Sequence, residues 1–162
     1  MRTPASIAGH PIHPMVVPIA IGGFILSFVF DVVCLATGSV DPWATVAYYT
    51  MVGGIAGALC AAVPGFIDLL SLPAGPVKRV ALTHMGINLT VVVLYVCNAW
   101  MRHSTGEPTD LQVGLSFIGL ALLVVSGWLG GKMVYEMGVA VEDGGAAATD
   151  GTRAQRRQQL HT

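Results

Sequence analysis

Apolar residues run along this chain in long stretches. They show neither the alternation of a half-buried strand nor the one-sided stripe of a soluble helix. Four stretches are long enough to cross a bilayer, whose hydrocarbon core of about 30 Å takes roughly 20 mostly apolar residues per helix. Residues 15–36 are interrupted only by Asp31, and residues 43–67 carry no charge. Residues 80–101 hold a single histidine, His84, and residues 111–131 hold neither a charge nor a histidine. Turn-forming residues separate them: Gly38-Ser39-Val40-Asp41-Pro42, Leu72-Pro73-Ala74-Gly75-Pro76 and Ser104-Thr105-Gly106-Glu107-Pro108. Barrel strands would alternate over about ten residues, which these runs do not. The pattern predicts an all-α membrane protein, a bundle of four transmembrane helices within residues 1–141. The first stretch is too long for the core of a cleaved signal peptide. It also lacks an obvious small-residue cleavage site before Asp41, so it is expected to be a true span.

Composition supports the same class. The 162 residues are 54% hydrophobic and 10% charged, and soluble domains carry roughly 25% charged residues. Eight basic and nine acidic side chains cannot clothe a water-facing surface when several sit in one tail. This excludes a soluble globular domain, a nucleic-acid binder and a wholly disordered protein, and makes the lipid bilayer the first partner. Residues 142–162 turn abruptly small and polar and are expected to form a disordered cytoplasmic tail. Cys34, Cys60 and Cys97 all lie in apolar runs without a CxxC pair, which reads as small buried hydrophobes. Small-residue pairs at helical spacing, Gly53 with Gly57 and Gly127 with Gly131, are the expected helix contacts.

Basic residues orient the bundle. One side carries Arg2, Lys78, Arg79, Lys132, Arg153, Arg156 and Arg157, and the loops of the other side carry only Arg102. The excess places both termini in the cytoplasm. Trp43 and Trp100 then fall near the outer interface, where amphipathic rings prefer to lie.

With that topology the rare polar residues converge. The motif Gly9-His10-Pro11-Ile12-His13-Pro14 lies just before the first span, and Asp68 ends the second. His84 and Asn88 occupy the first turns of the third and share one helix face. Pro64 bends the second helix and frees a carbonyl near the same level. His10, His13, Asp68, His84 and Asn88 are thus expected together in the cytoplasmic leaflet, where an ionisable group is costly and usually functional. Asp31 is expected to lean out to water, and Arg102 with His103 to form a solvated pair in an outer loop.

The motifs together identify a relationship. GHPIHP with its apolar helix, Asp31, PGFIDLL, HMGINL and the closing GWLGGKMVYEMGVAV resemble the bacterial membrane family called domain of unknown function 2231, from Gly9 to about Val141. The resemblance implies the four-helix fold and a place in the bacterial inner membrane. It also implies an association with redox proteins. Relatives commonly carry histidine before the glycine of the closing motif, where this chain has Met137 before Gly138. A thioether can itself ligate haem iron.

Three readings of the cluster follow. His84 facing His10 or His13, with Asp68 or Asn88 behind, would suit haem b in an electron-transfer subunit serving a redox partner protein. His10, His13, Asp68 and His84 would suit a single transition metal. Alternatively, the chain is a non-catalytic accessory or assembly subunit, or a homodimer, whose polar cluster locks helices together. Nothing reads as an autonomous enzyme: GxSxG, HExxH and a phosphate-cradling glycine loop are all missing. Four spans without inverted repeats are few for alternating access. A phosphatase fused after Thr162 is predicted to stay inactive in living cells; periplasmic activity of that fusion would invert the whole assignment.

Overall fold

The computed structural model describes residues 3–105 and 107–141, with side chains as far as Arg102 and again from Glu107; the expected tail at 142–162 and the His103 side chain lie outside the described residues. A two-stranded antiparallel ribbon, β1 (Ser6–Ile7) and β2 (His10–Pro11), precedes four helices. These are α1 (Ile12–Thr37), α2 (Trp43–Ser71), α3 (Pro76–Thr105) and α4 (Asp110–Tyr135), all long and apolar enough to cross a membrane. Each extends beyond its predicted apolar run except where α2 begins, because polar residues at the ends continue the helix. The histidine motif is therefore split: His10 stays in the ribbon, whereas His13 and Pro14 lie in the first turn of α1. A proline is tolerated there because the first four N–H groups of a helix have no intrahelical acceptor. The ribbon turns at Ala8 and Gly9, both at positive φ (50° and 82°), and Ala5 C=O accepts the Ile12 N–H at 2.9 Å.

The helices are apolar on every side, so side-chain size and polarity, rather than a hydrophobic stripe, decide what faces inward. The buried face of α1 is Ala20, Phe24, Ser27, Asp31 and Cys34, spaced four and three apart. Facing it, α2 presents Ala47, Met51, Gly54, Gly57 and Ala61. The backbones meet so closely that a Cβ on Gly23 would lie 2.6 Å from Gly54 Cα. Gly57 packs as expected, but its companion is Gly54; Gly53 faces open space, as does Gly127. In the second hairpin Gly119 of α4 seats the Tyr95 ring of α3. Phe24 and Tyr95 stack across the two hairpins with centroids 3.9 Å apart, and with Met51 and Val91 they form the bundle's apolar centre. Large apolar side chains such as Phe117, Val124 and Trp128 point outward to where lipid would lie. Of the cysteines only Cys34 is buried; Cys60 and Cys97 lie on the outer surface, because their helix faces point away from the core.

The contacts define an up-down-up-down bundle: the starts of α1 and α3 share one end with the finish of α2 and α4. At the opposite end the positions expected to be solvated prove to be buried. Asp31 is 0% and Arg102 6% exposed. Arg102 Nη1 and Nη2 donate to the two carboxylate oxygens of Asp31 at 2.5 and 2.6 Å. Arg102 is not a loop residue: α3 continues through it and turns it inward, because a two-pronged partner waits on α1. Its Nε donates to Asn98 Oδ1 (3.0 Å), and Asn98 Nδ2 donates to Gln112 C=O (2.8 Å) and Ser116 Oγ (2.9 Å). Gln112 belongs in turn to a capping box that starts α4: Thr109 N–H donates to Gln112 Oε1, and Gln112 N–H to Thr109 Oγ1.

Removing ions from water costs several kcal/mol each, and two-pronged pairing with full hydrogen bonding is what offsets it. Asp31→Leu or Arg102→Met alone is predicted to destabilise the bundle by about 3–5 kcal/mol, since each leaves a buried charge unpaired. The double variant should recover most of that loss in detergent unfolding. Equal or additive losses in the double variant would show that the pair acts otherwise.

Candidate functional site

At the end where α1 and α3 begin, two histidines face each other from different hairpins. His13 sits in the first turn of α1 and His84 in the third turn of α3. Their rings meet edge to face with centroids 6.3 Å apart. Each is held by the second helix of its own hairpin. His13 Nδ1 lies 2.8 Å from the Ala61 carbonyl of α2, and His84 Nδ1 lies 2.9 Å from the Ser126 carbonyl of α4, with Ser126 Oγ at 3.0 Å. A carbonyl can only accept, so Nδ1 carries the proton in both rings and Nε2 carries the lone pair.

The seats are alike in detail. Gly65 lies four residues after Ala61, and Gly130 four after Ser126. A Cβ on Gly65 would come within 2.7 Å of His13 Nδ1, and one on Gly130 within 3.4 Å of His84 Cε1. In both hairpins the histidine lies over a glycine and takes the carbonyl one helical turn before it. Pro64, the expected source of a free carbonyl, releases that of Cys60; His13 takes the next one along, at Ala61.

Asn88 completes the pair. Its amide donates to both acceptors of His84, the main-chain oxygen at 2.9 Å and Nε2 at 3.0 Å. The (i, i+4) face expected from sequence is thus realised within one residue pair.

Two of the five expected residues are placed elsewhere. His10 is exposed in the ribbon, with Nδ1 turned back on Ala8 C=O at 3.1 Å. Asp68 Oδ1 accepts the Ala5 N–H at 2.9 Å, anchoring the N-terminal arm instead of orienting His84. Among the described residues no group of three His, Cys, Asp or Glu side chains could hold a metal ion. The four-residue set of His10, His13, Asp68 and His84 is therefore not assembled: the ribbon carries His10 outward, and Asp68 is engaged by the arm. Met137 lies in the turn after α4, its N–H on Lys132 C=O. Ser126, Gly65 and Gly130 had no expected part in the site, although Gly65 stands in PGFIDLL and Gly130 in GWLGGKMVYEMGVAV; the signal for the seats was the Ser/Ala–Gly spacing of four on two helices.

The sequence model of the family described as Predicted membrane protein (DUF2231) matches residues 9–143, a span that contains every residue of this pair and its seats. Neither the curated proteins nor the solved structures contain a match to the chain.

The two seats differ in tightness, and this is testable. Gly65→Ala forces the His13 ring to move and is predicted to cost about 1–3 kcal/mol, as overpacking of a filled core does. Gly130→Ala, at ordinary contact distance, and Gly22→Ala, which meets nothing, should change detergent-unfolding stability little. Equal tolerance at Gly65 and Gly22 would refute the seat.

Proposed function

The chain belongs to the DUF2231 family of membrane proteins, and from that premise we propose that it is a redox-associated subunit of the bacterial inner membrane. In this reading both termini are cytoplasmic and the His13–His84 pair holds haem b in the cytoplasmic leaflet. One observation carries the reading: each imidazole donates Nδ1–H to a main-chain carbonyl, which leaves the Nε2 lone pair as the acceptor, met at His84 by the Asn88 amide that a metal would displace. A carbonyl on Nδ1–H fixes the tautomer and the ring orientation that a histidine ligand needs.

Other features agree with it. The two rings come from opposite hairpins, and packing between the hairpins is sparser than packing within either one. A flat group could enter that seam with less repacking than anywhere within a hairpin. His13 and His84 would hold the haem, and Asn88, bonded to the His84 main-chain oxygen, would keep that imidazole in place. Bound there, haem supplies one-electron transfer to a partner protein. A mononuclear metal held by four side chains is a poorer fit, since His10 and Asp68 face elsewhere.

One observation favours a second reading, a non-catalytic assembly subunit. With Asn88 on Nε2, both nitrogens of His84 are already satisfied within the protein, as a helix staple requires.

The two readings separate on the protein freshly purified in detergent. The haem reading predicts a Soret band in the parent. His13→Gln and His84→Gln should each abolish it while all four helices still insert, because an amide is a poor iron ligand. A colourless parent, with stability lost in His84→Ala and largely restored in His84→Gln, would overturn it in favour of the staple.

A further inference from the structure

The two histidine seats are one instance of a relation that runs through the whole bundle. His13 and His84, Phe24 and Tyr95, and Asp31 and Arg102 are each 71 residues apart. In all three pairs the two side chains meet each other across the hairpins. The second helices keep their own register, 65 residues apart. Ala61 and Ser126 accept from the two histidines, and Gly65 and Gly130 lie under them. Gly54 and Gly119 lie under Phe24 and Tyr95, where an added Cβ would meet the ring at 2.7 and 2.6 Å. Equivalent residues meet each other where a twofold axis passes between them. Both hairpins begin at the same end of the bundle, so the axis runs along it and the repeats are parallel.

Departures from the repeat are where the two halves differ in chemistry. Ser27, the counterpart of Asn98, is buried without a hydrogen-bond partner among the described residues, since Met51 occupies the place that Ser116 has in the other hairpin. At the histidine end the differing pair is Val17 and Asn88, each four residues after its histidine and so on the same helix face. Asn88 donates to His84 Nε2 at 3.0 Å. Val17 has no donor to give, and among the described residues no group donates to His13 Nε2. The rings thus carry the same tautomer in matching seats, with one lone pair capped and the other bare.

We infer that the bundle is two parallel repeats of one histidine hairpin, and that the histidine site between them has an open half and a closed half. His13 is the open half, which takes an incoming electron-pair acceptor first. His84 is the closed half, which yields only when the Asn88 amide gives way. With haem as that acceptor the inference rests on the reading above; the repeat and the state of the two nitrogens do not.

The test is ring-nitrogen NMR of the full chain in detergent, labelled at histidine, with signals assigned by their loss in His13→Gln and His84→Gln. The same samples are then titrated with haemin. Two distinct Nε2 signals are expected in the parent, His13 as a bare acceptor and His84 as a hydrogen-bonded one. Asn88→Val gives the second hairpin the residue of the first and should move His84 to the bare position. Val17→Asn makes the reverse exchange; it should move His13 to the hydrogen-bonded position and weaken haemin binding at least tenfold. Val17→Leu, which adds no donor, should change neither. One Nε2 state for both rings in the parent, or signals that both exchanges leave in place, overturns the inference. So does haemin affinity unchanged in Val17→Asn. Spectra as expected with no haemin bound by the parent would overturn the haem reading while upholding the repeat and the open nitrogen.

Discussion

A carboxylate and a guanidinium taken out of water together constrain this bundle more than any other contact. Asp31 and Arg102 lie 71 residues apart in sequence, on different hairpins, and in hydrocarbon neither has a solvent to fall back on. Their two-pronged bond fixes the end of α1 against the end of α3. The oxygens and nitrogens left over then recruit Asn98, Ser116 and the Gln112 carbonyl, which brings in the start of α4. A network of this kind is directional, unlike dispersion contact. It therefore sets the register of one hairpin against the other where apolar packing alone would permit sliding.

The same rule acts at the other end on neutral groups. An imidazole inside a membrane must find partners within the protein, and the nearest supply is main-chain carbonyl that a missing side chain leaves accessible. Glycines four residues beyond Ala61 and Ser126 provide that access, so His13 and His84 reach the carbonyls of their neighbouring helices. Between the two polar layers, Phe24 stacked on Tyr95 forms an apolar centre. Tyr95 links the zones: its ring packs in the centre, while its hydroxyl donates to the Ser116 carbonyl at 3.1 Å.

Helix number and type were legible because the cost of placing a segment in lipid is a sum along the chain, and hydropathy measures that sum. Which face of each helix turns inward was not. Where every side is apolar there is no moment to read, so Gly53 and Gly54 look alike in sequence, yet only Gly54 is packed. Asn88 beside His84 was legible because both lie on one helix four residues apart, where helical geometry alone brings them together. Asp68 was misread for the complementary reason. Its depth along α2 was right, but an N–H of the preceding arm reaches it first.

By itself, then, the sequence determined four membrane-spanning helices, the turns that part them and a short roster of polar residues that each need a partner. It also determined that the two histidines and Asn88 would begin near one end of the bundle, since topology follows from the count and direction of spans. Only the tertiary structure decided who partners whom: Asp31 with Arg102, His84 with Ser126 and Asn88, His13 with Ala61, and Asp68 with the arm. The reason is physical. Burial is a property of a segment, additive and readable in one dimension, whereas a hydrogen bond is a property of two groups and depends on how closely their helices approach and at what rotation. In this bundle those approaches are set by residues with almost nothing to show in a sequence, glycines and main-chain carbonyls.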